Sequence, residues 1–67
     1  MENYQQRVVV EKHDLDGKID RLQAFMVSES FRGVGPDEQI RLKQQLGAMS
    51  EYSVILGMRI AAFPAEG

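Results

Sequence analysis

The second half of the chain carries a regular helical pattern of apolar residues. Between residues 36 and 63, apolar side chains recur at steps of three and four residues, the spacing of one face of an α-helix. Either Tyr52 or Ser53 fills the middle position of this stripe. Its other members are Leu42, Leu46, Met49, Leu56, Ile60 and Phe63. Pro36 suits the first turn and Pro64 ends the pattern, so we predict a helix over about 36–63.

A weaker helical pattern covers the first half of the chain. Apolar residues share one face between about 3 and 28, although Lys12 interrupts this face. The face consists of Tyr4, Val8, Leu15, Ile19, Leu22 and Met26, with Phe25 beside it. Residues 8–10 are β-branched valines and Gly17 is a poor helix former, so a short strand over 7–12 is the alternative. The whole pattern favours one helix over about 3–28.

A strong break separates the two patterns. In the run Gly33-Val34-Gly35-Pro36, Gly33 suits the left-handed residue after a helix and Pro36 suits the start of the next helix. Residues 29–35 are therefore predicted as a turn, with Phe31 lying over the end of the hairpin. Residues 1–67 then form one all-α domain, an antiparallel helical hairpin.

The length of the chain limits the stability of such a hairpin. A chain of 67 residues has a small core, and small scaffolds usually need a disulfide, a structural metal or self-association. The chain has no Cys and one His, which leaves self-association. Small residues form a second stripe on the second helix, which indicates close approach of another backbone or a groove for a ligand; they are Gly47, Ser50, Val54, Gly57 and Ala61. We predict a homo-oligomer, either a four-helix bundle or a larger assembly.

Composition and charge narrow the class of partner. The first residues are polar, and no apolar run approaches the roughly 20 residues of a membrane helix, so we expect no signal peptide and no membrane partner. A formal charge of −2 lacks the basic footprint of DNA-binding and RNA-binding proteins. The lack of Cys fits a reducing compartment, and we expect a cytoplasmic protein.

The sequence contains no recognisable residue set for catalysis or metal binding. The run 14–20 looks like a calcium loop, but placing Gly17 at the required glycine position puts Lys12 and Gln23 where carboxylates are needed. His13 has no nucleophile and acid at a recognisable spacing, and it is interpreted as a surface residue. We therefore expect no catalytic residue, no metal, no cofactor and no enzymatic activity.

Four polar and aromatic residues form a candidate ligand site. In an antiparallel hairpin the start of the first helix lies beside the end of the second, which brings Tyr4, Arg7, Lys12 and Arg59 toward one end. Cationic groups beside an aromatic ring suit a phosphate and a stacked base, so a small nucleotide is the predicted ligand. The alternative is that the cations only keep the surface soluble and that Lys12 extends its stem along the apolar face.

Four segments of the chain carry a sequence pattern that can be compared with known proteins. They are Tyr4-Gln5-Gln6-Arg7-Val8-Val9, residues 18–25, Asp37-Glu38-Gln39 and residues 51–63. Together they resemble a family of small proteins of tailed phages and prophages. The helical layout is also similar to that of phage counter-defence proteins that sequester cyclic nucleotide immune signals. The resemblance implies a protein that acts in the host cytoplasm and carries no catalytic residues.

Three hypotheses for the function follow. The first is a non-enzymatic phage counter-defence protein that binds and sequesters a nucleotide immune signal at oligomer interfaces. The second is an inhibitor or adaptor that docks an exposed helix face onto a host defence protein. The third is a structural or assembly accessory of the phage particle.

Overall fold

The chain folds as an antiparallel hairpin of two long helices. A computed structural model describes residues 3–64, in which α1 spans Tyr4–Met26, α2 spans Glu29–Arg32 and α3 spans Pro36–Ala61. α1 and α3 pack along each other in an elongated molecule of 53 × 18 × 14 Å. The predicted all-α hairpin is confirmed, and residues 3–64 contain no strand. None of these helices has both the length and the apolar character needed to cross a membrane.

α1 continues through the segment for which a strand was the alternative. Asn3 caps its start, because the side-chain oxygen of Asn3 accepts a hydrogen bond of 3.0 Å from the backbone N–H of Gln6. Residues 8–10 are helical in spite of their β-branching. Val8 is buried in the core, and tertiary packing of this kind outweighs a weak helix propensity. The strand alternative over 7–12 is therefore wrong.

The connection between the long helices differs from the prediction. Residues 29–35 contain the short helix α2 as well as a turn. Gly33 has φ −81° and ψ −7°, so the left-handed conformation predicted for it is wrong. Backbone hydrogen bonds from Gly33 to Ser30 and from Val34 to Phe31, each 3.1 Å, close the turn with right-handed backbone angles instead.

Gln39 ties this connection to the first turns of α3. Its side-chain amide donates to the backbone oxygen of Phe31 at 3.1 Å and to that of Val34 at 2.8 Å. The ring of Phe31 packs edge-on against Phe25, with centroids 5.8 Å apart. Phe31 therefore covers the closed end of the hairpin, where the chain reverses.

The core lies in the contact between α1 and α3, which we call the seam. Its centre is Leu56, which is 0% exposed, packed with Val8 and Leu15 of α1. The partly buried apolar residues around this centre are Ile19, Met49, Ile60 and Phe63. Ser53, 8% exposed, fills the middle of the α3 stripe, whereas Tyr52 is 43% exposed. The middle of the seam is thus polar on the α3 side.

Candidate functional site

An open groove runs along one side of the seam. Its volume is about 430 Å³. It is lined by Arg7, Val10, Glu11, Asp14, Leu15 and Lys18 of α1 and by Tyr52 of α3. We call it the Tyr52 groove. Most of its wall is therefore one helix, and α3 contributes a single aromatic side chain.

The charged residues of the Tyr52 groove come from one face of α1. Arg7, Glu11, Asp14 and Lys18 are separated by four, three and four residues, so the helical repeat aligns them in a row. The two cations stand at the ends of this row, about 16 Å apart along the helix axis, and the two carboxylates lie between them. A ligand in the groove would meet positive charge at either end and hydrogen-bond acceptors in the middle.

The charges of the Tyr52 groove are not paired with each other. The Arg–Glu and Asp–Lys neighbours in the row have the four-residue spacing at which helix ion pairs form. In the described part of the chain, however, the ion pairs join Lys12 to Asp16 and Arg41 to Glu38. The guanidinium and ammonium groups of the groove therefore keep their donors available for a ligand.

Tyr52 faces the middle of the charged row. Its neighbour Ser53 contacts Lys12 and Asp16, which places this turn of α3 beside the middle of α1. Because the Tyr52 ring is partly exposed, a ligand can reach it. An aromatic ring can stack on a nucleotide base, and its hydroxyl can donate or accept a hydrogen bond.

The opposite side of the seam is closed by a polar cluster of Lys12, Asp16 and Ser53, which we call the seam cluster. Lys12 Nζ donates to Asp16 Oδ2 at 2.8 Å and to Ser53 Oγ at 3.0 Å, while Ser53 Oγ donates to Asp16 Oδ1. A Cβ on Gly57 would lie 3.4 Å from Lys12 Cε, so this glycine leaves room for the lysine stem. Lys12 therefore lies in the seam and not among the residues that line the Tyr52 groove.

The seam cluster fixes the charge of its carboxylate. The hydrogen bond from Lys12, followed by that from Ser53, holds the pKa of Asp16 below its ordinary value of 3.8. Desolvation acts in the opposite direction and is outweighed. Asp16 is therefore ionised at neutral pH, and the charge of Lys12 is balanced within the protomer.

The structure separates Tyr4 from the other two residues predicted for the ligand site, Arg7 and Arg59. Arg7 lines the Tyr52 groove. Arg59 follows Tyr52 by seven residues, about two helical turns, and so lies on the same face of α3. Tyr4 packs edge-on against Phe63 with ring centroids 5.7 Å apart, which closes the open end of the hairpin. Arg7 and Arg59 thus share one side of the molecule, and ligand binding by any of the four residues stays a prediction.

A match to a known family defines the class of protein. A family model described as Sequestin matches residues 2–62. The chain belongs to the Sequestin family. The family name indicates a sequestering protein, which is a binding role. No curated protein and no solved structure matches the chain.

In this member of the Sequestin family, the predicted site residues included Arg7 but not the other polar and aromatic residues of the groove, which are Glu11, Asp14, Lys18 and Tyr52. Lys18 is spaced four residues from Asp14, which also fits an ion pair on a solvated helix face. Tyr52 borders the apolar stripe, so periodicity alone leaves open whether it or Ser53 is buried. The row of charges at steps of four, three and four residues was the signal in the sequence that pointed to this face.

Proposed function

We propose that this member of the Sequestin family is a non-enzymatic phage counter-defence protein. It binds a nucleotide immune signal in the cytoplasm of the host cell and withholds it from its receptor. The observation that carries this proposal is the Tyr52 groove, in which an aromatic ring stands beside a row of charges. The row has a cation at each end, and neither cation forms an ion pair within residues 3–64.

The two ends of the groove supply the groups that bind phosphate. The Arg7 guanidinium offers several N–H donors in a planar fork, which suits two oxygens of one phosphate. Arg59 lies on the Tyr52 face of α3 toward the same end, and Lys18 adds a point charge at the other end. A nucleotide with phosphates at its ends, or with one phosphate at the Arg7 end, fits this distribution of charge.

The middle of the groove supplies the groups that bind a nucleoside. Tyr52 can stack on a base, an interaction that tolerates different bases because each has an aromatic face. The carboxylates of Glu11 and Asp14 are acceptors for ribose hydroxyls or for the amino group of a base. The groove thus selects for a nucleotide over a simple anion, which the two carboxylates would repel.

An oligomer interface completes the site in this proposal. On one protomer the groove is open and α3 contributes only Tyr52 to it. A second protomer that covers the groove would exclude water and strengthen every charged contact to the ligand. Sequestration needs such tight enclosure, since the ligand must be held and not converted.

Native mass spectrometry of protein purified from a nucleotide-rich lysate tests this function first. We expect an oligomer that carries one nucleotide-sized adduct per site. Calorimetry with a panel of cyclic and ADP-ribose-type nucleotides then identifies the ligand class. Arg7→Gln should weaken nucleotide binding at least about tenfold. The matched control is Arg41→Gln, which removes an exposed arginine of α3 outside the groove and should leave the affinity unchanged. A purified protein that binds no member of the panel contradicts the proposal.

Inhibition of a host defence protein is the second candidate function. It is supported by the exposed apolar side chains Val54 and Met58 on α3, a surface onto which another helix can dock. A pull-down from host lysate checks it, with Val54→Glu as the variant that should lose the captured protein. Capture that is equal for wild type and variant, or no stoichiometric capture, counts against this candidate.

A further inference from the structure

A second pocket lies on α1, next to the Tyr52 groove. Its volume is about 280 Å³, and we call it the Gly17 pocket. It is lined by His13, Asp14, Gly17, Lys18 and Arg21. His13, Gly17 and Arg21 are four residues apart, so the helical repeat places them in one row, about 12 Å long along the helix axis. Asp14 and Lys18 line both the Gly17 pocket and the Tyr52 groove, which therefore adjoin each other.

Gly17 leaves room in the middle of this row. A side chain on a helix leans toward the turn before its own Cα, so Arg21 reaches back over Gly17. A Cβ on Gly17 would lie 3.4 Å from Arg21 Nη1. The guanidinium group therefore lies beside the space that a side chain at position 17 would fill, and the glycine keeps that space open.

Positive charge exceeds negative charge among the residues that line the Gly17 pocket. Lys18 and Arg21 are cations, and Asp14 is the acidic residue beside them. Within residues 3–64 none of these three side chains forms an ion pair, since the ion pairs there join other residues. The N–H donors of Lys18 and Arg21 therefore remain available for an anion.

A phosphate group is the anion that suits these donors. The planar guanidinium of Arg21 can donate two parallel N–H bonds to two phosphate oxygens, and the Lys18 ammonium adds a point charge on a flexible stem. The imidazole of His13 has an N–H donor for a third oxygen. A carboxylate offers two oxygens only, so three donor groups favour phosphate. We propose that the Gly17 pocket binds a phosphate group through Arg21, Lys18 and His13.

This phosphate belongs to the same ligand that occupies the Tyr52 groove. Lys18 lines both pockets, so a ligand that passes it can place one phosphate on each side of the ammonium group. The ligand class is therefore a nucleotide with at least two phosphate groups, either a diphosphate or two phosphodiesters. The assignment to a shared ligand rests on the proposed function, whereas the phosphate site itself does not.

Nuclear magnetic resonance titration of the isotope-labelled full chain with inorganic pyrophosphate tests the site without a nucleotide. We expect the amide signals of residues 13–21 to shift and to saturate. Arg21→Gln should raise the dissociation constant at least about tenfold. Arg41→Gln is the matched control, because it removes an exposed arginine of α3 outside the pocket and should leave the dissociation constant unchanged. Wild-type signals that do not shift, or shifts of equal size around residue 41, overturn the phosphate site.

Gly17→Ala separates the pocket from the stability of the fold. The added Cβ lies against Arg21 Nη1 and displaces the guanidinium, so pyrophosphate should bind more weakly. Alanine is also the better helix former, so the variant should unfold at a higher temperature than the wild type. Unchanged affinity for pyrophosphate in this variant overturns the role of the Gly17 pocket.

Calorimetry with three nucleotides tests whether the ligand is shared. Adenosine monophosphate, adenosine diphosphate and a cyclic dinucleotide are compared in the wild type and in Arg21→Gln. A loss of about tenfold or more for adenosine diphosphate identifies a diphosphate ligand, and the same loss for the cyclic dinucleotide identifies two phosphodiesters. Equal losses for all three nucleotides overturn the second phosphate. Binding of pyrophosphate without binding of any nucleotide overturns the proposed function and the shared ligand, but not the phosphate site.

Discussion

The two sides of the seam carry the same kinds of charged side chain and use them in opposite ways. On one side, Lys12 and Asp16 form an ion pair that Ser53 completes. On the other side, Asp14 and Lys18 have the same four-residue spacing, but they line an open groove and are not paired. Spacing within α1 therefore does not decide whether a charge is satisfied.

The residues of α3 determine whether a charged side chain of α1 is paired. Opposite the seam cluster, α3 offers a small hydroxyl at Ser53 and no side chain at Gly57, so the lysine can cross the seam. Opposite the groove, α3 offers Tyr52, whose ring neither neutralises a charge nor fills the space. The first arrangement stabilises the hairpin, and the second leaves groups available for a ligand.

The sharpest test of this contrast exchanges one lysine on each side. Lys18→Gln should weaken nucleotide binding about 10- to 100-fold, because a charged hydrogen bond is lost, and should leave the thermal midpoint unchanged. Lys12→Gln should lower the thermal midpoint and leave the affinity of the folded protein unchanged. Calorimetry and thermal unfolding of both variants give the comparison. Loss of affinity in Lys12→Gln at unchanged stability would assign Lys12 to the ligand.

The hydroxyl of Ser53 is the next largest expected effect. Ser53→Ala removes the group that bridges Lys12 and Asp16 and should destabilise the protein by about 1 kcal/mol. For a chain of this size, that lowers the thermal midpoint by about 4–8 °C. Ser50→Ala, one turn earlier on α3, is the control and should change the midpoint by much less. Equal effects of both substitutions would mean that the seam cluster contributes nothing beyond packing.

Two glycines sharpen the contrast further. A Cβ would lie 3.4 Å from a side-chain atom at both Gly17 and Gly57. The neighbour of Gly17 is the free end of Arg21, which can move. Gly17→Ala should therefore raise the free energy of unfolding by about 0.5–1 kcal/mol through helix propensity. The neighbour of Gly57 is Lys12 Cε, which the seam cluster holds in place, so Gly57→Ala should raise the free energy of unfolding by less. Urea unfolding measures both, and an equal gain would show that Lys12 is not held.

The smallest expected effect is the dependence of stability on pH. The folded pKa of Asp16 is lowered, so its stabilising contribution is complete above the ordinary value of 3.8 and is lost as pH falls through the folded pKa. The thermal midpoint should decrease in this acidic range for the wild type and decrease less for Asp16→Asn. Asp20→Asn, an exposed carboxylate on the same helix, should follow the wild type. A parallel decline in all three proteins would remove Asp16 as the cause.

The fold followed from periodicity because both helices are long and their apolar stripes are regular. Val8 shows the limit of local propensity, since three valines in a row favour a strand until one of them is buried against another helix. Gly33 shows the limit of residue preference, since the turn is closed by ordinary backbone bonds and needs no left-handed residue. Features that depend on the other helix were the ones that local reasoning missed.

The candidate site was predictable only in part for the same reason. Arg7 was recognised as a ligand group and lines the groove. Lys12 was grouped with it because both cations lie near one end of α1, yet Ser53, 41 residues away in sequence, contacts Lys12. The helical repeat distinguishes the two edges of the α1 stripe, and applying it strictly would have separated Lys12 from Arg7.

The ring contact between Tyr4 and Phe63 brings the two ends of the hairpin side by side. A short peptide can join ends that lie this close, and the exposed connection between α2 and α3 is a suitable place to open the chain. A circular permutant that begins at Pro36 and ends at Arg32 would keep α1 and α3 antiparallel and preserve the contacts between them. The two helices should therefore form the same groove whichever of them comes first in the chain.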